Sequence, residues 1–419
     1  MANGTTYDLI VIGGGAIGLA TAYQAAKRNL KTLVLEQYDF FNDRGASAGA
    51  SRQFRLQYAI QYMSELCVAS EPFWADLQQY ANSPLVGEDG SLWFGDPSLD
   101  TREGGIAPAE KVMDALGIPY TKLDQQQIEA SYYFRNIDSN YRGFFQAQGG
   151  TVNLHLTEVT LYKACANSGL VTLAANREVN GISSTAGGGI TVSTSAGEVT
   201  ADMLAITAGP WVNDVTRFLG CYAPIYIWEM STAYFKMMAP PPVMYETWFY
   251  YGGDKNDFYG FPVEAGPQWP HPGYIRVAPD FPDRIITDPS QRSGKPDAAN
   301  LKLTAEFVKQ HMTGIDPTPH FASTCIAPLV ADPNSTQELL IDHPPSFVPN
   351  SKQIVVYTAG WAGKFVPILG DMICQMLTDP NISSFNYGNY SIPVSNFAIA
   401  WDVNPGTPPV TLPKRRRIR

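Results

Sequence analysis

Residues 7–36, "YDLIVIGGGAIGLATAYQAAKRNLKTLVLE", constrain the fold more than any other stretch of the chain. "DLIVI" is a continuous apolar, β-branched run, the pattern of a strand covered on both faces. Gly13, Gly15 and Gly18 follow as G-x-G-x-x-G, with Ala16 and Ile17 between the last two. "AIGLATAYQAAKRN" reads as a helix with small residues towards the sheet, and "KTLVLE" as a second strand ending in Glu36, 18 residues after Gly18. That order of elements, with an acid at that distance, is a dinucleotide-binding βαβ unit. Gly13 permits the tight turn, Gly15 lets the backbone approach a pyrophosphate, and Gly18 allows close helix–strand packing. The helix N-terminus offers free N–H groups and a positive dipole end. Glu36 would accept hydrogen bonds from a ribose 2′-OH and repel a 2′-phosphate, which favours FAD or NAD over NADP. The motif alone does not separate those two; its N-terminal position favours FAD.

The composition allows a large core: 45 % of the 419 residues are hydrophobic and 16 % are charged. Length predicts two to three domains. The 22 Tyr, 20 Phe and 8 Trp would suit enclosure of a flat organic ligand, and equally a large core. The net charge is −10 even though the final six residues, "KRRRIR", carry five positive charges. So acidic a body repels nucleic acid, and the tail reads as disordered. No run reaches the roughly 18–20 apolar residues of a membrane span, and no basic n-region precedes the first strand. The expectation is therefore a cytoplasmic monomer with no membrane or nucleic-acid partner. The cysteines, Cys67, Cys165, Cys221, Cys325 and Cys374, have no metal-clip or redox-pair spacing, so no metal is expected and the thiols should be reduced. Read alone, Cys325 in "STCIAPLVADP" is either a small buried hydrophobe or a reactive thiol.

Further along, "GASAGASRQFRLQY" (residues 45–58) is a small-residue loop followed by Arg52 and Arg55. If helical, the stretch would put both arginines on one face, either to clamp a carboxylate bidentately or to make ordinary surface ion pairs. "SLWFGD" reads as a strand, "GGIAPAEKVMDALGI" as a loop entering a helix, and "YRGFFQAQGGTVNLHLTEVTLYKACANSGL" as a strand, a turn and a long helix. Residues 171–214 read as several strands ending in a buried run and the glycine turn "AGPW". Residues 220–320 are rich in aromatics and prolines, as a substrate domain would be. Near the end, "QIVVYTAG" reads as a strand entering a glycine turn around Gly360, Trp361 and Gly363, with Lys364 half-buried and an apolar helix beyond. Such a turn at a helix N-terminus can hold the pyrimidine end of a flavin, or a carboxylate. The alternation predicts an α/β fold: a Rossmann-type dinucleotide domain interleaved with an antiparallel-sheet substrate domain. The expected division is 1–85, 150–220 and 322–390 for the former, 86–149 and 221–321 for the latter, and 391–419 as a C-terminal extension.

Together these segments resemble the FAD-dependent amine oxidases of the D-amino-acid-oxidase superfamily, in the branch of monomeric sarcosine oxidase. They are most like its NikD-type subgroup, which oxidises piperideine-2-carboxylate. The resemblance runs from about residue 5 to 390 and rests on the dinucleotide segment together with "SRQFRLQY", "GSLWFGD", "YRGFFQAQGGTV", "FYGF", "APDF", "STCIAPLVADP" and "VVYTAGWAGKFVPILG". It implies an 8α-S-cysteinyl bond from Cys325 to FAD, and a substrate carboxylate held by Arg55 and Lys364. Ser51, Arg52, Gly360 and Gly363 would lie beside the flavin. Tyr259, Asp280 and Glu103 would line the substrate pocket as candidates to tune or accept the amine proton, and Trp361 would cover a planar substrate. Arg276 falls where sarcosine oxidase has a lysine that promotes reaction of reduced flavin with oxygen; arginine keeps the charge but does not titrate. The implied reaction is oxidation of the Cα–N centre of an amino or cyclic imino acid, with O2 reduced to H2O2. The alternatives are an L-amino acid oxidase, a sarcosine- or pipecolate-type secondary amine oxidase, and a flavin-dependent amine dehydrogenase.

Overall fold

A computed structural model describes residues 6–101, 104–185, 188–238, 246–253, 255–332 and 337–403. The fold is mixed α/β, built on two large sheets, as the element pattern predicts. The first has the order Leu340–Asp342, Ile354–Thr358, Gly197–Ile206, Thr6–Ile12, Thr32–Leu35, Val171–Ala174, with an antiparallel arm of Ile190–Thr194 and Val179–Ser184. Thr6–Ile12 lies at its centre, parallel to both neighbours. Leu9, Ile10 and Val11 are fully buried, which is why that strand reads as an unbroken apolar run. The helix Ala16–Lys27 packs against the helices Leu154–Asn167 and Val366–Thr378.

The second sheet runs Arg284–Ile286, Ile225–Met237, Tyr274–Pro279, Phe258–Gly260, Thr247–Tyr251, Ser91–Gly95, Arg142–Gln146, Thr121–Asp124, with Ile315–Val330 paired along Ile225–Met237. Most pairs are antiparallel; Thr247–Tyr251 and Ser91–Gly95 run parallel. Their side chains alternate between two cores. Trp93, Phe249 and Tyr251 enter the larger one, whereas Phe94, Trp248 and Tyr250 join Phe258 and Phe307 in another. Much of the aromatic content is therefore core, with both faces of this sheet covered. Ile315–Val330 is a single 16-residue strand that runs unbroken through the expected domain boundary at 321/322.

A two-stranded ribbon, Ser51–Phe54 paired with Gly150–Asn153, carries Arg52. The helical option for residues 52–55 is thus corrected: pairing with a strand about a hundred residues away fixes the segment as extended, and Arg55 lies just past its end. Among the described residues no helix is long and apolar enough to cross a membrane.

Candidate active site

A cavity of about 470 Å³ receives side chains from both large sheets and from the ribbon, a size typical of small-molecule sites. Its lining includes Gly13, Gly15, Ala16, Ile17, Glu36, Ser51, Arg52, Arg55, Tyr259, Arg276, Asp280, Cys325, Gly360, Trp361, Gly363 and Lys364. Every sequence-derived site residue is in that set except two. Gly18 packs behind the cavity, and Glu103 lies outside the described residues.

At one end the glycine turn is shaped by contact distances. Gly13 has φ +106°, and a Cβ there would lie 2.5 Å from the Thr207 carbonyl oxygen. A Cβ on Gly18 would lie 1.8 Å from the Gly13 carbonyl oxygen, so the helix can start this close to the strand only with glycine at both places. Gly15 caps the helix Ala16–Lys27 without a side-chain hydrogen bond. The Ala16 N–H donates instead to Ser47 Oγ at 3.1 Å. Glu36, 8 % exposed, accepts from the N–H groups of Gly14 (2.8 Å) and Tyr38 (3.0 Å). Burial holds its carboxyl above the usual range, against those bonds. Bare glycines, an open helix N-terminus and a fixed acid at the end of the second strand fit the diphosphate and ribose of FAD.

The other end concentrates positive charge. Arg55 is 2 % exposed, its guanidinium 4.7 Å from the Tyr58 ring centroid and 4.9 Å from that of Trp93. Lys364 is 5 % exposed and therefore fully buried rather than half-buried, since Trp74 and Tyr58 close over its turn. Its Nζ donates to the Trp361 carbonyl at 3.1 Å and lies 5.5 Å from the same Tyr58 ring. Two buried cations beside the same aromatic ring in one cavity can receive a carboxylate.

Arg52 and Arg276 are used differently. Arg52 donates to the carbonyls of Ala46, Ala48 and Ser51 and so stitches together the loop that borders the cavity. Burial, and then the charge of Arg276, lowers its pKa. A Cβ on Gly363 would meet Arg52 Cγ at 2.6 Å, so the second glycine turn exists partly to let Arg52 pass. Arg276, 4 % exposed, donates to Ser51 O (2.8 Å), Ser51 Oγ (3.0 Å) and Thr232 Oγ1 (2.9 Å). Beside it, burial pushes the Tyr259 phenol up against the pull of Arg276, so Tyr259 is neutral. Asp280 follows the strand that pairs Ala278 with Tyr259. Trp361 meets Trp228 edge-on with ring centroids 5.9 Å apart.

Cys325 sits on Ile315–Val330 opposite Met230, half-buried and free, and it is the one cysteine that reaches the cavity. The other four are buried, and burial pushes the thiols of Cys67, Cys165 and Cys374 up to about 12 and that of Cys221 to about 11. Those four are inert fillers. The sequence reading missed Ser47, Tyr58 and Glu158. Ser47 sits in the small-residue loop, where a hydroxyl near a dinucleotide turn could have been noticed. Tyr58 and Glu158 carry no local signal.

Comparison with known proteins agrees with this geometry. The family profile for FAD dependent oxidoreductases (DAO) matches residues 8–376. A Dictyostelium discoideum protein described as a bifunctional amine oxidase is 32 % identical over 416 residues; the match covers 94 % of this chain, which spans only 37 % of that longer protein. Human peroxisomal sarcosine oxidase is 23 % identical over 385 residues, 88 % of this chain and 92 % of that one. The solved structure of NikD, described as an unusual amino acid oxidase essential for nikkomycin biosynthesis, superposes with a TM-score of 0.85 at 32 % identity, covering 94 % of this chain and 97 % of that one.

Proposed function

Because the chain belongs to the D-amino-acid-oxidase family of FAD-dependent oxidoreductases, and its relatives are amine and amino acid oxidases, we propose that it oxidises the Cα–N centre of a carboxylate-bearing amine or cyclic imino acid. The observation that carries this reading is the pair of buried cations, Arg55 and Lys364, in the same cavity as Cys325 and the dinucleotide turn. When bound, FAD supplies the two-electron acceptor. The protein's part is binding, orientation and proton handling.

Arg55 and Lys364 hold the substrate carboxylate and thereby aim the C–H bond beside nitrogen that gives up hydride. Asp280 and Tyr259 line the same cavity and are assigned to the amine. Asp280 takes the amine proton, and the neutral Tyr259 donates a hydrogen bond that orients it. Trp361, backed edge-on by Trp228, covers one face of a planar ring. Arg276, anchored on Ser51 and Thr232, keeps a fixed positive charge near the redox centre. An amine substrate loses a hydride from Cα and a proton from nitrogen to become an imine. A piperideine-2-carboxylate-type ring, whose Cα has no hydrogen, loses instead a hydride from the other ring carbon beside nitrogen and the N–H proton of its enamine tautomer. In either case O2 takes up two electrons and two protons to give H2O2. Cys325 would hold FAD through a thioether from Sγ to its 8α carbon; that bond replaces one S–H and one C–H bond, and the two electrons and two protons released would pass to O2. Family resemblance and the position of Cys325 in the cavity support this attachment. The relation to NikD favours a cyclic imino acid of the piperideine-2-carboxylate type over proteinogenic L-amino acids and N-methyl amino acids.

The test is a panel of those three substrate classes, read by H2O2 release from purified protein. Stoichiometric peroxide with a cyclic imino acid is the expected result. Turnover that needs an artificial dye and consumes no oxygen would make the enzyme a dehydrogenase instead.

A further inference from the structure

Besides Glu36 and Asp280, the cavity is lined by a third buried carboxyl for which the dinucleotide fingerprint has no place. Glu158, on the helix Leu154–Asn167, is 5 % exposed and lines the cavity. Its carboxyl faces the Ser47 side chain and the backbone of Ala16, whose N–H donates to Ser47 Oγ at 3.1 Å. It therefore stands at the uncapped start of the helix Ala16–Lys27, where a diphosphate would be received. The charged groups that face it are Arg52, from the ribbon, and Glu36, from the end of the second strand. The helix Ala16–Lys27 contributes a backbone N–H. The strands Gly150–Asn153 and Val171–Ala174, which also pack on the Glu158 helix, carry no ionisable side chain.

An ionised Glu158 would have to share this space with Glu36 and two phosphate charges, with Arg52 as the compensating cation. Burial, with Glu36 adding to it, pushes the Glu158 carboxyl up to about 8, against Ser47 and Arg52. A neutral carboxylic acid has what a carboxylate lacks, a hydrogen to donate.

We propose that Glu158 is a proton-dependent cofactor residue: its neutral form donates a hydrogen bond to the pyrophosphate of FAD, and its ionised form loosens the hold on that group. Binding the dianionic diphosphate holds the proton on Glu158 more firmly still. Affinity for FAD is then complete below about pH 8 and declines as pH rises above it, with one proton taken up per FAD bound in that upper range. This rests on FAD dependence alone; it needs neither the substrate assignment nor the thioether.

The test uses Cys325→Ala protein stripped to the apo form, so that the cofactor exchanges freely. FAD binding is followed by flavin fluorescence from about pH 6.5 to about 9. The Kd should rise towards about tenfold per pH unit above pH 8. Adding Glu158→Gln should make Kd nearly constant over the same range. Calorimetric titration at high pH, in two buffers with different heats of ionisation, should show about one proton taken up per FAD by the parent and none by the variant. A pH slope that persists in Glu158→Gln, or a parent that takes up no proton, overturns the proposal. If Glu158→Gln does not fold, the two-buffer measurement on the parent decides by itself. A parent that binds no FAD at any pH overturns the cofactor assignment as well, which distinguishes the two failures.

Discussion

At the level of single residues, four cations of the cavity fall into two pairs with different surroundings. Arg52 and Arg276 spend their donors on Ala46, Ala48, Ser51 and Thr232. Arg55 and Lys364 both lie near the Tyr58 ring, their cationic groups 4.7 and 5.5 Å from its centroid. Replacing Arg55 with Ala should lower kcat/KM for a carboxylate substrate by about a hundredfold or more, in line with the roughly 2–5 kcal/mol lost when one member of a buried charge pair is removed. Steady-state peroxide assays on a folded, flavin-loaded variant read this directly; near-normal turnover would take Arg55 out of the site. Cys325 makes a second prediction. Wild-type protein should stay yellow after acid precipitation, whereas Cys325→Ala should release its FAD to the supernatant. FAD freed from the denatured wild type would refute the thioether. The positions of Cys325, Arg55 and Lys364 at the cavity were legible because each lies in a segment with a recognisable pattern. Tyr58 and Glu158 were not, because they reach the cavity only through contacts made by residues far away in sequence.

At the level of elements, the site depends on backbones approaching more closely than side chains normally allow. The glycine turn after Thr6–Ile12 was legible because its spacing is local and its chemistry demands those residues. The arginine segment was less so. Arg52 and Arg55 have helical spacing, yet Ser51–Phe54 becomes a strand because Gly150–Asn153 pairs with it, and no local pattern announces that partner. Lys364 was expected half-buried for a similar reason: the indole of Trp74, which donates to its carbonyl at 2.8 Å, arrives from a helix 290 positions away. Gly18→Ala tests the close-approach argument. The added methyl would meet the Gly13 carbonyl at 1.8 Å, so the helix must shift. We expect a stability loss of about 1–3 kcal/mol and weaker FAD retention in a Cys325→Ala background. Unchanged melting and unchanged FAD affinity would contradict the packing role.

At the level of the whole molecule, the two sheets supply different walls of one cavity. The first presents the cofactor turn and the second presents Tyr259, Arg276 and Cys325, with the ribbon between them adding Arg52. The strand carrying Cys325 belongs to the second sheet although its end reaches the cofactor, so a linear division of the chain at residue 322 cuts through a continuous element. Buried titratable groups also give the fold a pH signature. The Glu158 carboxyl is raised to about 8 when folded and returns to the ordinary carboxylate range when unfolded. Its contribution to stability is therefore complete at acid pH and is lost as pH rises to about 8. Glu158→Gln should accordingly melt a few degrees higher than wild type at pH 8, with little difference near pH 4. Scanning calorimetry at the two pH values, on protein with equal flavin content, checks the sign; a variant less stable at pH 8 would contradict it. The central claim is that buried positive charge selects a carboxylate-bearing amine for oxidation by O2. Its most direct test is to compare a cyclic imino acid with the same ring lacking the carboxylate, measuring H2O2 per substrate consumed. One H2O2 should form for each two-electron oxidation of the imino acid, and turnover should be at least about a hundredfold slower without the carboxylate. Equal turnover of the two would contradict it.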